Sequence, residues 1–179
     1  MKTIKFLSIL FGFLFLVSCN SEPTLQKYFV ANSENKSFVS LDIAPSILNL
    51  DKTKLSVQEK AVLSSFSKLN VLAFKANETN KTEFESERAK VNLIMKNPDY
   101  QVLMKVGSGK DQGIVSYVGD DKHINEFILN GNKKDMGFVI VRVLGKDMDP
   151  SNIMALISMM QKSNMDMEQL KPLVEAFKK

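Results

Sequence analysis

The sequence predicts an α+β domain: a single mixed, largely antiparallel sheet with helices on one face. Three observations carry this reading. Strand-period and helix-period segments alternate through the first half of the chain. Four strand-like runs then follow one another, separated only by short Gly-, Asn- and Asp-rich breaks, and two helical segments close the chain. The resulting order is β-α-β-α-β-β-β-β-α-α, in which helices return the chain early and hairpins return it late. No internal repeat or linker divides residues 37–179, so that stretch reads as one domain, preceded by a tether and short helix within 19–36.

The elements follow in chain order. Asn20 to Pro23 is a polar tether, and Glu22-Pro23 suits the opening of a helix that puts Leu25 and Phe29 on one face. Ser37 to Ile43 alternates, with Val39, Leu41 and Ile43 on one side, and predicts a strand. Pro45 to Leu50 suits one helical turn. Ser56-Val57-Gln58-Glu59 matches a capping box, in which the Ser oxygen and the Glu carboxylate each accept the other's backbone N–H. The helix it starts runs to about Ser67 and buries Val57, Ala61, Val62 and Phe66. Leu69 to Ala76 predicts a second strand. Thr79 to Asn97 carries acids early and lysines late, as the helix dipole favours, with Phe84, Arg88, Val91 and Met95 on one face and Pro98 ending it. Tyr100 to Val106, Gly113 to Gly119, His123 to Asn130 and Gly137 to Gly145 form the antiparallel meander. Asp149-Pro150 caps a helix with Ile153, Met154, Leu156, Ile157 and Met160, and Asn164 caps a last one, Met165 to Phe177, interrupted near Pro172.

The N-terminus has a different logic. Lys2 and Lys5 precede the uncharged run Phe6 to Phe15, and Leu16-Val17-Ser18-Cys19 follows. A positive start, a short apolar core and small residues at the cut make a secretory signal. Leu-Val-Ser-Cys resembles the lipobox of bacterial lipoprotein signals. That resemblance implies cleavage between Ser18 and Cys19, acylation of the Cys19 thiol and usually of the new amine. The uncharged stretch Phe6 to Cys19 is shorter than the roughly 20 residues a spanning helix needs. Residues 1–18 are thus expected to be a signal peptide, with Cys19 tying the chain to a membrane through lipid.

Removing residues 1–18 takes away two lysines and no acid, so the formal charge falls from +4 to +2. About 160 residues remain, enough for a real core. No basic stripe is left that would argue for nucleic acid. Cys19 is the only cysteine, so no internal disulfide forms.

Motifs that suggest chemistry have simpler readings. Gly107-Ser108-Gly109-Lys110 has Met104 and Asp111 where a phosphate loop needs Gly and Ser or Thr, so it reads as a hairpin turn. His123 is the only histidine; with Asp120 and Asp121 beside it, it reads as a turn position. One His and a lipidated Cys cannot build a zinc set. Asp147-Met148-Asp149 lacks the further oxygens of a calcium loop, and Pro150 makes helix capping the better reading. No catalytic set, metal site or cofactor is expected. Met154, Met159, Met160, Met165 and Met167 crowd the C-terminal helices, where flexible thioethers serve as core filler or as an adaptable partner surface.

The order of elements over nearly the whole mature chain, with Val39-Ser40-Leu41-Asp42-Ile43-Ala44-Pro45, the strand group Gly113 to Leu129 and Gly137 to Gly145 followed by Asp149 to Ile153, resembles a family of bacterial lipoproteins of unknown function of the Bacteroides and Flavobacterium type. The resemblance implies a small envelope α+β domain and carries over no catalytic residue. The expected function is therefore a lipid-anchored, non-enzymatic envelope module that binds a protein partner or other ligand. The alternatives are a carboxylate hydrolase, which predicts a deep pocket holding two acids, with Arg88 and Arg142 as optional additions, and a purely structural envelope component. Asn20 after Cys19, together with a lone early acid at Glu22, points to the outer membrane and its periplasmic side.

Overall fold

Two uninterrupted apolar runs, Val71-Leu72-Ala73-Phe74 and Phe138-Val139-Ile140-Val141, lie side by side at the centre of the molecule, paired Val71 with Val141, Leu72 with Ile140, Ala73 with Val139 and Phe74 with Phe138. A strand that is apolar at successive residues points hydrophobic side chains to both faces of its sheet, and both must be covered. That requirement sets the architecture. The computed structural model describes residues 22–109, 111–120, 122–163 and 168–177.

The elements are α1 (Leu25–Asn32), β1 (Phe38–Ile43), a 3₁₀ turn (Pro45–Leu48), α2 (Val57–Ser65), β2 (Phe66–Lys75), α3 (Lys81–Ile94), β3 (Gln101–Ser108), β4 (Asp111–Asp120), β5 (His123–Lys133), β6 (Gly137–Met148), α4 (Pro150–Lys162) and α5 (Lys171–Phe177). The six strands form one sheet in the order β1-β2-β6-β5-β4-β3. Every pairing among the described residues is antiparallel. The α+β class and the single sheet agree with the sequence reading.

Two details differ. The sheet is not mixed: α2 returns the chain to pair antiparallel with β1, and β6 then inserts between β2 and β5. Helices also cover both faces. On the first face, Val71, Phe127, Val143, Met148 and Tyr117 pack with Val62 of α2, Ile153, Leu156 and Met159 of α4, and Ile47 and Leu48 of the 3₁₀ turn. On the second, Leu72, Phe74, Ile128, Phe138 and Ile140 pack with Leu25, Tyr28 and Phe29 of α1 and Phe84, Val91 and Ile94 of α3. Full burial of a Leu, Ile or Phe side chain stabilises by about 1.5–3 kcal/mol, so both clusters are substantial. The second is aromatic: Phe74 stacks on Phe138 and Phe84, and Phe38 meets Phe74 edge-on at 5.1 Å. The short helix expected as part of the tether is thus core, with Leu25 fully buried.

Local signals place the ends. The Ser56–Glu59 capping box forms as expected, with Glu59 N donating to Ser56 Oγ at 3.2 Å and Ser56 N to the Glu59 carboxylate at 2.9 Å. Yet α2 ends two residues earlier than expected, because β2 already begins at Phe66, and Val57 and Ala61, expected to be buried, are exposed. Asp149 accepts from Ser151 N at 2.8 Å and opens α4. Gly137 has φ +125°, and a Cβ there would meet the Phe74 carbonyl, so β6 can enter beside β2 only through glycine. Asn164, proposed as a cap, lies outside the described residues, as does the chain before Glu22; Pro172 falls in the first turn of α5 rather than interrupting a longer helix.

Candidate functional site

The second face of the sheet carries the polar chemistry. Arg142 on β6 is 5% exposed. It sits there because Phe138, Ile140 and Arg142 alternate onto the face of β6 turned to α1 and α3, and its pairing with Ile128 on β5 brings Glu126 within reach. Arg142 Nε and Nη2 donate to the two Glu126 oxygens at 2.6 and 3.0 Å, and Nη1 donates to Gln26 Oε1 at 2.6 Å. The guanidinium lies over the Phe29 ring at 5.2 Å. This bidentate, stacked geometry leaves Glu126 fully engaged and unfit to act as a base or nucleophile.

A second buried acid, Glu87 on α3, accepts from Tyr28 OH at 2.8 Å and from Lys90 Nζ at 2.6 Å. Burial, reinforced by Glu87, pushes the Tyr28 hydroxyl far above the usual phenol range. Tyr100 is raised as well, chiefly by burial, and accepts from Leu25 N at 3.0 Å. These groups tie α1 to α3 and β3.

Further along the same face, α3, β4 and β5 enclose a cavity of about 210 Å³. Arg88, Asn92, Gln112 and Asn130 reach it over a floor of Val91, Ile114 and Phe138. Arg88 is ion-paired with Glu85 and lies 5.6 Å from the Phe84 ring centre. Its described lining residues include no acid. A second one of about 200 Å³ is lined by Glu78, Glu85 and Asp135, all solvent-exposed and ion-paired with Lys81, Arg88 and Lys134 respectively. Arg142 is held by Glu126, whereas Arg88, paired with Glu85, lines the amide cavity, and Glu78, Glu85 and Asp135 line the second.

On the first face, Gly113 and Gly131 pair across β4 and β5 and, with Val139, floor an apolar groove of about 430 Å³ walled by Leu173 and Phe177 of α5. At the sheet's edge β3 is exposed along its whole length, with Val102, Leu103, Met104 and Val106 all in solvent. Its bulge between Val102 and Met104 offsets the register against β4.

Residues singled out from the sequence separate in space. Met159 is 1% exposed within the first-face core and Met154 is exposed, so these two do not share a surface. The side chain of Met160, and Met165, Met167, Ser18 and Cys19, lie outside the described residues. Gly107 to Gly109 form the β3–β4 turn, with Ser108 paired to Asp111. His123 is exposed and 3.1 Å from Asp120, whose carboxylate is held below the usual range mainly by the Lys122 and then the His123 backbone N–H. Among the described residues no group of three or more His, Cys, Asp or Glu is arranged to hold a metal, and no helix is long and apolar enough to cross a membrane. The buried ion pair and the amide cavity were missed by sequence reasoning. The available signals were Arg142, a charge inside an otherwise apolar strand, and Asn130 and Asn132 at alternate positions of β5.

A family model described as Domain of unknown function (DUF4252) matches residues 28–156, and the chain belongs to that family. The match runs from α1 to α4 and so includes both helical layers and all six strands. No curated protein and no solved structure matches the chain.

Proposed function

We propose that this DUF4252 chain is a lipid-tethered, non-enzymatic envelope module that holds an extended segment of another protein against the free edge of β3. The observation that carries this reading is β3 itself: eight consecutive exposed residues, four of them large and apolar, in a strand whose outer backbone groups have no neighbouring strand among the described residues. Such an edge pairs readily with an incoming strand and is normally blunted by charge, proline or burial. Lys105 is its only charged residue and it has no proline. The occupant that fits is a strand with small apolar side chains beside Met104 and Val106 and an acid near Lys105. A second copy fits less well, because a two-fold antiparallel pair would meet the bulge at Leu103 twice.

The tether reading is supported by how Glu22, three residues after Cys19, is held. The Glu22 carboxylate accepts from Asn97 Nδ2 at 3.1 Å and its carbonyl from Lys27 Nζ at 3.1 Å, which fixes the start of α1 beside the α3–β3 junction. Three residue steps from Cys19 to Glu22 reach roughly 10–11 Å at full extension. A lipid on Cys19 thus holds this end of the sheet near the bilayer, with the β3–β4 turn at the other end.

Cell fractionation tests the anchor: Cys19→Ala is expected to move the protein from the membrane to the soluble fraction, and retention in the membrane overturns it. Site-specific photocrosslinking in intact envelopes tests the edge. A crosslinker at Met104 is expected to give one discrete adduct that Lys105→Glu removes and that a crosslinker at the exposed Val57 does not give. An adduct of twice the chain's mass, equal adducts at both positions, or none at Met104 overturns the partner reading.

A further inference from the structure

We propose that the cavity between α3, β4 and β5 binds a single neutral sugar residue, either free or at the end of a glycan. The case rests on side chains of α3, β4 and β5 rather than on the free edge of β3, although Gln112 pairs with Gly107 of that strand, and its test reads those side chains alone.

The side-chain amides of Asn92, Gln112 and Asn130 come from three elements and converge on one cavity, yet none makes a side-chain hydrogen bond among the described residues. Elsewhere in the protein such amides are used: Asn32 bonds the Tyr28 carbonyl, Asn80 the Lys75 carbonyl, and Gln26 the Arg142 guanidinium. An amide offers two donors and a carbonyl acceptor, and a hydroxyl likewise both donates and accepts. Four amides line the volume, and Asn92, Gln112 and Asn130, the three without a side-chain partner among the described residues, suit a ring carrying several hydroxyls, each able to give and take a hydrogen bond.

The charge pattern narrows the ligand. Arg88 is the one cation among the described lining residues, and Glu85 already neutralises it. A phosphate or sulfate wants uncompensated cations or several backbone N–H groups. A cationic ligand wants an acid, and the described lining residues include none. A neutral ligand meets neither penalty. Arg88 retains N–H donors beyond the one facing Glu85, and these can serve a ring oxygen.

The floor supplies the other half of sugar chemistry. Val91 and Phe138 are 2% and 3% exposed and belong to the packed second-face core, so they present only a small, fixed apolar patch beside the half-buried Ile114. The C–H face of a sugar ring packs on such a floor while its hydroxyls reach the amide rim. The volume of about 210 Å³ is below the roughly 300–1,000 Å³ of pockets for drug-sized ligands and suits one ring rather than a chain. Gln112 and Asn130 are held by the β4–β5 ladder, where Gln112 pairs with Asn132 and Ile114 with Asn130, so the amides start near their bound positions.

The test is a titration of the full mature chain by ¹H–¹⁵N NMR with glucose, N-acetylglucosamine, a β-linked N-acetylglucosamine disaccharide and inorganic phosphate. The expected result is saturable shifting of the Asn92, Gln112 and Asn130 side-chain NH₂ signals by at least one neutral sugar and no such shifting by phosphate. Asn130→Ala and Gln112→Ala should each weaken that binding at least tenfold with an unchanged urea midpoint. Tighter binding of the disaccharide than of its monomer assigns the site to a glycan end; equal binding assigns it to free sugar. Response to phosphate alone, or no saturable response to any sugar, overturns the proposal. If both alanine variants lower the urea midpoint, Asn92→Ala on the exposed helix surface decides the question, and unchanged sugar binding there overturns it.

Discussion

The two faces of the sheet do different work. The first is mainly aliphatic, built from Val71, Val143, Met148, Ile153 and Leu156 around Phe66 and Phe127, with few polar groups such as Tyr117 and Asn152. The second combines a stack of phenylalanines with a buried ion pair, a buried Tyr–Glu contact and a cavity rimmed with amides. An apolar face fills space and tolerates many sequences of the right volume. A face with buried charges is costly unless each polar atom is matched, so it fixes one arrangement of α1, α3 and the sheet. The difference places the groups capable of specific recognition on the second face and gives the first a largely structural role.

The largest test of this comparison is truncation of one aromatic on each face. Phe127→Ala on the first and Phe74→Ala on the second, both fully buried, should each destabilise by about 3–5 kcal/mol in urea unfolding. A loss on the second face far smaller than on the first would mean that α1 and α3 only rest on the sheet. Breaking the ion pair should cost about as much. Arg142→Met leaves Glu126 buried without its partner, and such losses run to about 3–5 kcal/mol. The double variant Arg142→Met, Glu126→Leu should recover most of that stability, since paired removal spares the unpaired charge. Failure to recover would show that Gln26 and Phe29 need the guanidinium more than Glu126 does.

A smaller effect of opposite sign separates matched from unmatched polar groups on the second face. Ser116 on β4 is fully buried, and its hydroxyl has no hydrogen-bond partner. An unmatched buried hydroxyl costs about 1–3 kcal/mol, so Ser116→Ala should raise the urea midpoint, by about 1 kcal/mol after the lost packing is deducted. A fall in stability would show that the hydroxyl finds an acceptor in solution.

How much of this was legible in the sequence depends on whether the signal was local. The capping box at Ser56, the hairpin at Gly107 to Gly109 and the Asp149 cap were readable because each is set by residues within four positions of one another. The four-strand meander was readable for the same reason. The second helical layer was misjudged, although its signal was present: Val71 to Phe74 and Phe138 to Val141 do not alternate, and an unbroken apolar strand is buried on both sides. The strand order was out of reach, because β6 pairs with β2 across more than sixty residues and no local pattern encodes that choice. The candidate site was hidden for a related reason. Asn92, Gln112 and Asn130 are each ordinary surface residues in sequence, and only the crossing of α3 over β4 and β5 makes them neighbours.

The smallest effect tests the contrast between the sheet's centre and its edge. Val106 on β3 is 58% exposed, whereas Val143 on β6 is 1% exposed, although both are β-branched residues well suited to strands. Val106→Lys therefore removes little buried area and should change unfolding free energy by no more than about 0.5 kcal/mol, as surface substitutions usually do. The same change places a second positive charge one residue from Lys105 on an edge that otherwise invites another strand. Sedimentation velocity at high protein concentration should accordingly show no more self-association than the parent chain and, where the parent associates, less. A loss of stability above about 1 kcal/mol would mean that another part of the chain covers β3 in solution, and the edge would then be unavailable to any partner.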